Sequence, residues 1–189
     1  NVMNILLFTP SYSLMKKGYG SKRKLRAGLF PPLGLAYLAS PLIKDGHDVR
    51  IIDASSYEYS DEQIWDMVQQ FKPDIFGISS VTSSADESYA LANFLKSKLP
   101  KKPIIYGGPH ANCFPELVFE NIKDLDMLVY GEGEVTFKKI VDFYKENGRL
   151  PEDLPGTCLK TNGQIFKNVP AKPVLKLDDI LPPAYQLFD

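Results

Sequence analysis

Five short apolar runs recur along the chain: Ile5–Thr9, Val49–Asp53, Asp74–Ser79, Pro103–Tyr106 and Asp126–Tyr130. Each is rich in Ile, Val, Leu or Phe and poor in charge, as strands buried on both faces are. Helical patterns separate them. In "SDEQIWDMVQQF" (60–71), Ile64, Met67, Val68 and Phe71 share one face, and Ser60 with Gln63 spells a capping box. "SADESYALANFLKSKL" (84–99) repeats the scheme, with Ser84 and Glu87 as the box and Leu91, Phe94 and Leu95 as the stripe. A last helix carries Phe137, Ile140, Val141 and Tyr144 and stops at Gly148. The first helix is expected to start at Pro32, and Pro41 should kink or shorten it. Strand and helix in strict alternation predict an α/β fold: a doubly wound, five-stranded parallel sheet of flavodoxin-like or Rossmann-like topology.

Two segments fall outside this rhythm. Residues 10–31 make a loop far longer than strand–helix connections usually are, and such loops are mostly functional. Beyond Gly148, "GTCLKTNGQIFKN" predicts a hairpin on Asn162-Gly163, and the Pro-rich stretch after it reads as a linker. The expected division is therefore 3–148 for the ligand-binding domain and 149–189 for the hairpin and linker.

The bulk numbers narrow the partners. Charged residues are 24% of the chain and balance to −1, so neither nucleic acid nor a membrane surface is expected. The basic cluster "KKGYGSKRKLR" (16–26) reads as a solvated loop rather than a phosphate patch. No apolar run reaches the roughly 18 residues of a membrane span, and "NVMNILLFTP" lacks the basic flank of a signal peptide. Cys113 and Cys158 are far apart and form no metal spacing, which suits free thiols in the cytoplasm.

Ligands of open parallel sheets sit at the carboxyl ends of the strands. Here those ends are Thr9-Pro10, "SSVTSS" (79–84), "GGPHA" (107–111) and "GEGE" (131–134). A phosphorylated receiver domain would need an aspartate where Ser79 stands. A dinucleotide fold would need its Gly-x-Gly-x-x-Gly directly after the first strand, whereas Gly18 and Gly20 come late and Arg23 replaces the third glycine. No P-loop occurs, and Glu132 and Glu134 would repel a pyrophosphate. Small hydroxyls, glycines and a long loop fit a large, flat, nearly neutral ligand rich in amides.

The chain resembles the amino-terminal cobalamin-binding domain of B12-dependent radical S-adenosylmethionine enzymes, of the anaerobic Mg-protoporphyrin cyclase and class B methyltransferase type. The stretches that carry the resemblance are "PPLGLAYLAS" (31–40), "GHDVRIIDA" (46–54), "PDIFGISS" (73–80), "GGPHA", "DMLVYGEGEVT" (126–136) and "LPG" (154–156), in that order. "LDDILPPAYQLFD" is similar to the family's link into its radical domain. The resemblance implies a cofactor-binding set of Pro10, Ser79, Ser80, Val81, Thr82, Ser83, Gly107, Gly108, His110, Ala111, Gly131, Glu132 and Gly133, with no catalytic residue and no metal ligand. Ser79 would bond the buried base of the nucleotide tail and Ser83 would support the tail. Gly107 and Gly108 would let the tail pass against bare backbone.

The Asp-x-His-x-x-Gly motif that ligates cobalt in other B12 proteins is absent after Thr9, which implies base-off cobalamin without an axial histidine. Tyr12, Leu14 and Met15 are open alternatives for the lower face. His110 is expected to bond the corrin or shape its loop in preference to touching cobalt, and His47 to mark a helix end. No Cys-x3-Cys-x2-Cys occurs, so the 4Fe-4S cluster and S-adenosylmethionine would belong to a separate radical domain of the same parent chain, a methyltransferase or cyclase. The rival readings are a non-enzymatic flavodoxin-like binding or regulatory domain with another nucleotide ligand, and a corrinoid carrier serving a separate methyltransferase.

Overall fold

The computed structural model describes residues 2–11, 31–57 and 59–188. Tyr12, Leu14, Met15 and the basic cluster therefore lie outside the described residues. Five parallel strands form as the apolar runs predict: β1 Asn4–Thr9, β2 Asp48–Asp53, β3 Ile75–Ser79, β4 Ile104–Gly107 and β5 Met127–Val129. Their spatial order is β2-β1-β3-β4-β5, the flavodoxin-like order. Helices α1 (Leu33–Lys44) and α6 (Gly133–Asn147) cover one face. The other face carries α2 (Asp61–Phe71), α3 (Ala85–Lys98) and the short α4 (Pro109–Cys113) and α5 (Pro115–Asn121).

Each face buries its own core. Leu35, Ala39 and Leu42 of α1 and Phe137, Ile140 and Val141 of α6 meet Ile5, Leu7, Ile75, Ile105 and Met127. Ile64, Val68, Phe71, Leu91 and Leu95 meet Leu6, Phe8, Phe76 and Ile78. Odd and even strand positions thus feed opposite layers, as the two-residue period of a strand requires. The predicted caps of two helices hold: Ser60 and Gln63 close their box on α2, and Gly148 ends α6 at φ 66°.

Four expectations change. Ser84 does not cap α3 with its side chain; its hydroxyl bonds the Val81 carbonyl and lies 3.3 Å from Ser80 Oγ, within a 3₁₀ turn (Thr82–Ser84). Pro41 does not end α1, which runs on to Lys44. A proline so near the C-terminus removes one helical bond, and the Pro41 carbonyl still accepts from Asp45 N. The hairpin, β6 (Thr157–Thr161) and β7 (Gln164–Lys167), is no appendage beside a five-stranded sheet. It turns at Asn162 and Gly163, both at positive φ, and pairs antiparallel with β5 to give seven strands. That pairing covers the edge of β5, a strand of three residues. Lastly, the Pro-rich tail doubles back: Ala184 is buried and donates its N–H to Ala36 of α1, and Ser40 Oγ bonds the Pro182 carbonyl at 2.5 Å.

Candidate cofactor-binding site

Strands β3, β4 and β5 end side by side, with Gly77 opposite Ile105 and Ser79 opposite Gly107. Strand alternation turns Gly77, Ser79, Ile105, Gly107 and Val129 toward the layer of α1 and α6. There, at the carboxyl ends, a cleft of about 310 Å³ opens. Leu35, Leu38 and Gly34 of α1 and Phe137 of α6 line it, together with those strand residues. The exposed Pro109, Asn112, Gly131 and Glu132 form its rim, along with Gly108, Gly133 and Glu134. A roomier groove, about 400 Å³, runs between residues 169–174 and the outer side of α6. It sits away from the strand ends and touches, of the predicted set, only Glu132.

The glycines here do different jobs. A Cβ at Gly77 would stand 2.6 Å from Leu7 Cδ2 and 3.3 Å from the Phe137 ring, so Gly77 serves packing. Gly133 lets α6 start close to α1, since its Cβ would meet Leu38 at 3.3 Å. Gly108 has φ 93° and ψ −178°, a region open only to glycine. Its Cβ would fall 2.7 Å from Ser79 Oγ and 2.8 to 2.9 Å from the Ser80 backbone. Gly108 is therefore a requirement of the fold itself, whether or not a tail also passes it. Gly107 is the contrasting case. Its nearest neighbours would be Val129 O at 3.6 Å and Cβ at 3.9 Å, ordinary contacts, so the protein leaves that space open beside the cleft.

The predicted set divides in two. Ser79, Gly107, Gly108, Gly131, Glu132 and Gly133 meet at the cleft. Ser80, Val81, Thr82, Ser83, His110 and Ala111 are not among its lining; Ser80, His110 and Ala111 are buried, and Ala111 belongs to the core beneath α3. Pro10 is buried at the end of β1 and does not line the cleft either. Alternation at the end of β3 separates Ser79 from Ser80, whose hydroxyl turns to the Val81 carbonyl and Ser84.

His110 is held by protein. Its Nε2 lies 2.5 Å from the Tyr89 hydroxyl and its Nδ1 3.2 Å from Thr82 Oγ1, while its N–H donates to the Ser80 carbonyl. Burial keeps its imidazole below the ordinary histidine range, with Asp86 pulling weakly the other way. Burial likewise pushes the Tyr89 phenol up to about 12. Two neutral groups thus brace the 80–84 turn from below. Ser79 differs: its hydroxyl has no hydrogen-bond partner among the described residues. Asn112, which no sequence motif singled out, accepts from Gly131 N at 2.8 Å and so ties the two glycine-rich loops together. Leu35 and Leu38 lay within quoted motifs and Phe137 within a core stripe, where nothing marked them as facing a ligand.

An open doubly wound sheet with a glycine-lined cleft at its carboxyl ends defines a cofactor-binding α/β domain. The B12 binding domain family matches residues 25–141, and the chain belongs to that family; it is a cobalamin-binding domain. It is 37% identical over 189 residues to an uncharacterised methyltransferase of Pyrococcus horikoshii, covering 99% of this chain and 39% of that protein. It is also 31% identical to the anaerobic magnesium-protoporphyrin IX monomethyl ester cyclase of Synechocystis, over 93% of this chain and 34% of the cyclase. The chain thus spans little more than a third of these relatives' length. Its fold matches the cobalamin-dependent S-adenosylmethionine radical enzyme OxsB with aqua-cobalamin bound, at TM-score 0.74 and 20% identity, over 100% of this chain and 25% of OxsB. TsrM from Kitasatospora setae, solved with cobalamin and a 4Fe-4S cluster, matches at 0.72 and 18% identity, over 96% of this chain and 31% of TsrM. Among the described residues no helix is long and apolar enough to cross a membrane.

Proposed function

We propose that this domain holds cobalamin base-off, with the nucleotide tail in the strand-end cleft, as the cofactor module of a larger radical S-adenosylmethionine methyltransferase. The observation that carries this is one cleft that pairs unfilled space at Gly107 with the Ser79 hydroxyl, which has no hydrogen-bond partner among the described residues. Cobalamin as a whole is much larger than this cleft, so the tail enters and the corrin ring rests above the strand ends. Ser79 donates to the buried base, and Gly107 and Gly131 leave room for the tail. When bound, cobalamin supplies a cobalt centre that carries a methyl group.

The base-off form goes with placing the tail's base on Ser79 in the cleft, away from cobalt, and the histidines offer no protein nitrogen in its place. The chain has two histidines. His47 lies just before β2, at the opposite end of the sheet from the cleft, buried with Nδ1 accepting from Met3 N at 3.1 Å. His110 spends both ring nitrogens on Tyr89 and Thr82. Neither is available to cobalt. The 4Fe-4S cluster and S-adenosylmethionine fall to a radical domain of the parent chain, which is consistent with the much greater length of the relatives. With Cys113 and Cys158 both free thiols, we place the protein in the cytoplasm.

The test is to add hydroxocobalamin, desalt, reduce to the cobalt(II) state and record the visible and electron paramagnetic resonance spectra. Retained colour, no nitrogen splitting and an unchanged signal in His110→Ala are expected. A colourless eluate, or nitrogen splitting that disappears in that variant, would contradict the proposal.

A further inference from the structure

The cleft's lining bears on which corrinoid it accepts. Corrinoids differ in the lower base of the tail, which ranges from dimethylbenzimidazole to purines. We infer that this cleft selects an apolar benzimidazole base and discriminates against a purine; the inference rests on the reading that the tail occupies the cleft.

The inner wall is hydrocarbon: Leu35, Ile105, Val129 and Phe137 are buried, and the half-buried Leu38 adjoins them. The sheet contributes one polar side chain, Ser79, whose hydroxyl is unpartnered among the described residues and occupies the gap that Gly108 leaves for it. The other polar side chains stand toward the rim and two are already engaged: Asn112 Oδ1 accepts from Gly131 N, and Glu132 Oε2 from Val174 N at 3.3 Å. A benzimidazole released from cobalt has one ring nitrogen needing a donor, and Ser79 supplies it. Its methylated benzo ring is apolar and meets Leu, Val and Phe. An adenine base brings an exocyclic amine and additional ring nitrogens to the same wall, where they find hydrocarbon. Buried polar groups without partners are costly, so an adenine tail should bind roughly 10- to 100-fold more weakly.

The test measures binding of three corrinoids to the intact chain by equilibrium dialysis: cobalamin, the adenine-containing cobamide, and cobinamide, which lacks the nucleotide. Cobalamin is expected to bind at least about tenfold more tightly than the adenine form. Ser79→Ala is expected to shrink the advantage of cobalamin over cobinamide. Leu38→Gln, which places an amide on the wall, is expected to narrow the gap between cobalamin and the adenine form. Equal binding of those two, with both well above cobinamide, would overturn base selection while leaving the tail in the cleft. Cobalamin binding no tighter than cobinamide would overturn the tail reading itself, and base selection with it.

Discussion

Gly108→Ala is expected to destabilise the whole domain, while Gly107→Ala is expected to leave it folded and weaken cobalamin binding. The two positions are neighbours, yet their surroundings are opposite. At Gly108 the backbone sits at φ 93° and ψ −178°, which costs a non-glycine residue about 1–3 kcal/mol. The new Cβ would also press on the Ser80 backbone at 2.8 to 2.9 Å, where no side chain can swing aside. That backbone is fixed by Ser80 N donating to Gly107 O and His110 N donating to Ser80 O. Together these make a loss of about 3 kcal/mol or more, a fall of roughly 6–12 °C in melting temperature for a chain of this size. At Gly107 the added methyl meets nothing closer than 3.6 Å from the protein and takes space beside the cleft. Overpacking a close-fitting ligand by one methyl costs about 1–3 kcal/mol, so cobalamin should bind roughly tenfold more weakly or worse. Thermal melts and cobalamin titrations on both variants check this. A Gly107→Ala protein with parental affinity would remove Gly107 from the site.

The second large effect lies at the other end of the sheet. Asp126, just before β5, bonds Lys96 Nζ at 2.6 Å and accepts the Ile104 N–H at 2.7 Å. Lys96 also donates to the Pro100 and Lys102 carbonyls, and its side chain is only 6% exposed. Burial pushes the Asp126 carboxyl above its ordinary pKa, against the downward pull of Lys96 and the Ile104 N–H. Asp126→Ala strands a buried ammonium and the first N–H of β4. Breaking a buried pair from one side costs about 3–5 kcal/mol, and the 30% exposure of Asp126 favours the lower figure. Urea unfolding should show that loss. Asp126→Asn, which keeps the acceptor for Ile104, should lose less, and Lys96→Met combined with Asp126→Leu should recover much of it. Equal stability of Asp126→Ala and the parent would show that the pair contributes nothing net. Cobalamin affinity of the folded fraction should not change, since the pair is remote from the cleft.

How much the sequence reveals depends on whether a feature is local. Strand runs, the Ser60 box, the Gly148 cap and the Asn162-Gly163 turn depend on adjacent residues, and each is present as read. Ser84 looked equally like a cap, but its hydroxyl is drawn to Val81 and Ser80 by the 3₁₀ turn before α3. The docking of the hairpin on β5 and of Ala184 on α1 depends on contacts distant in sequence, which no local pattern encodes. At the cleft, motif reading named loops that meet there but pooled them with residues that do not line it. Ser79 and Ser80 are indistinguishable in a serine run until the register with Gly107 fixes which one faces α1 and α6. Leu38 and Phe137 were invisible as cleft residues because a wall side chain and a core side chain follow the same periodicity.

The central claim, that cobalamin's tail sits between β3–β5 and the layer of α1 and α6, is tested most directly by hydrogen–deuterium exchange with and without hydroxocobalamin. Slowed exchange at residues 105–112 and 129–133 is predicted, where Gly107, Gly108, Asn112 and Gly131 line the cleft. Protection confined to residues 169–174, along the groove on the outer side of α6, with those loops unchanged, would contradict it.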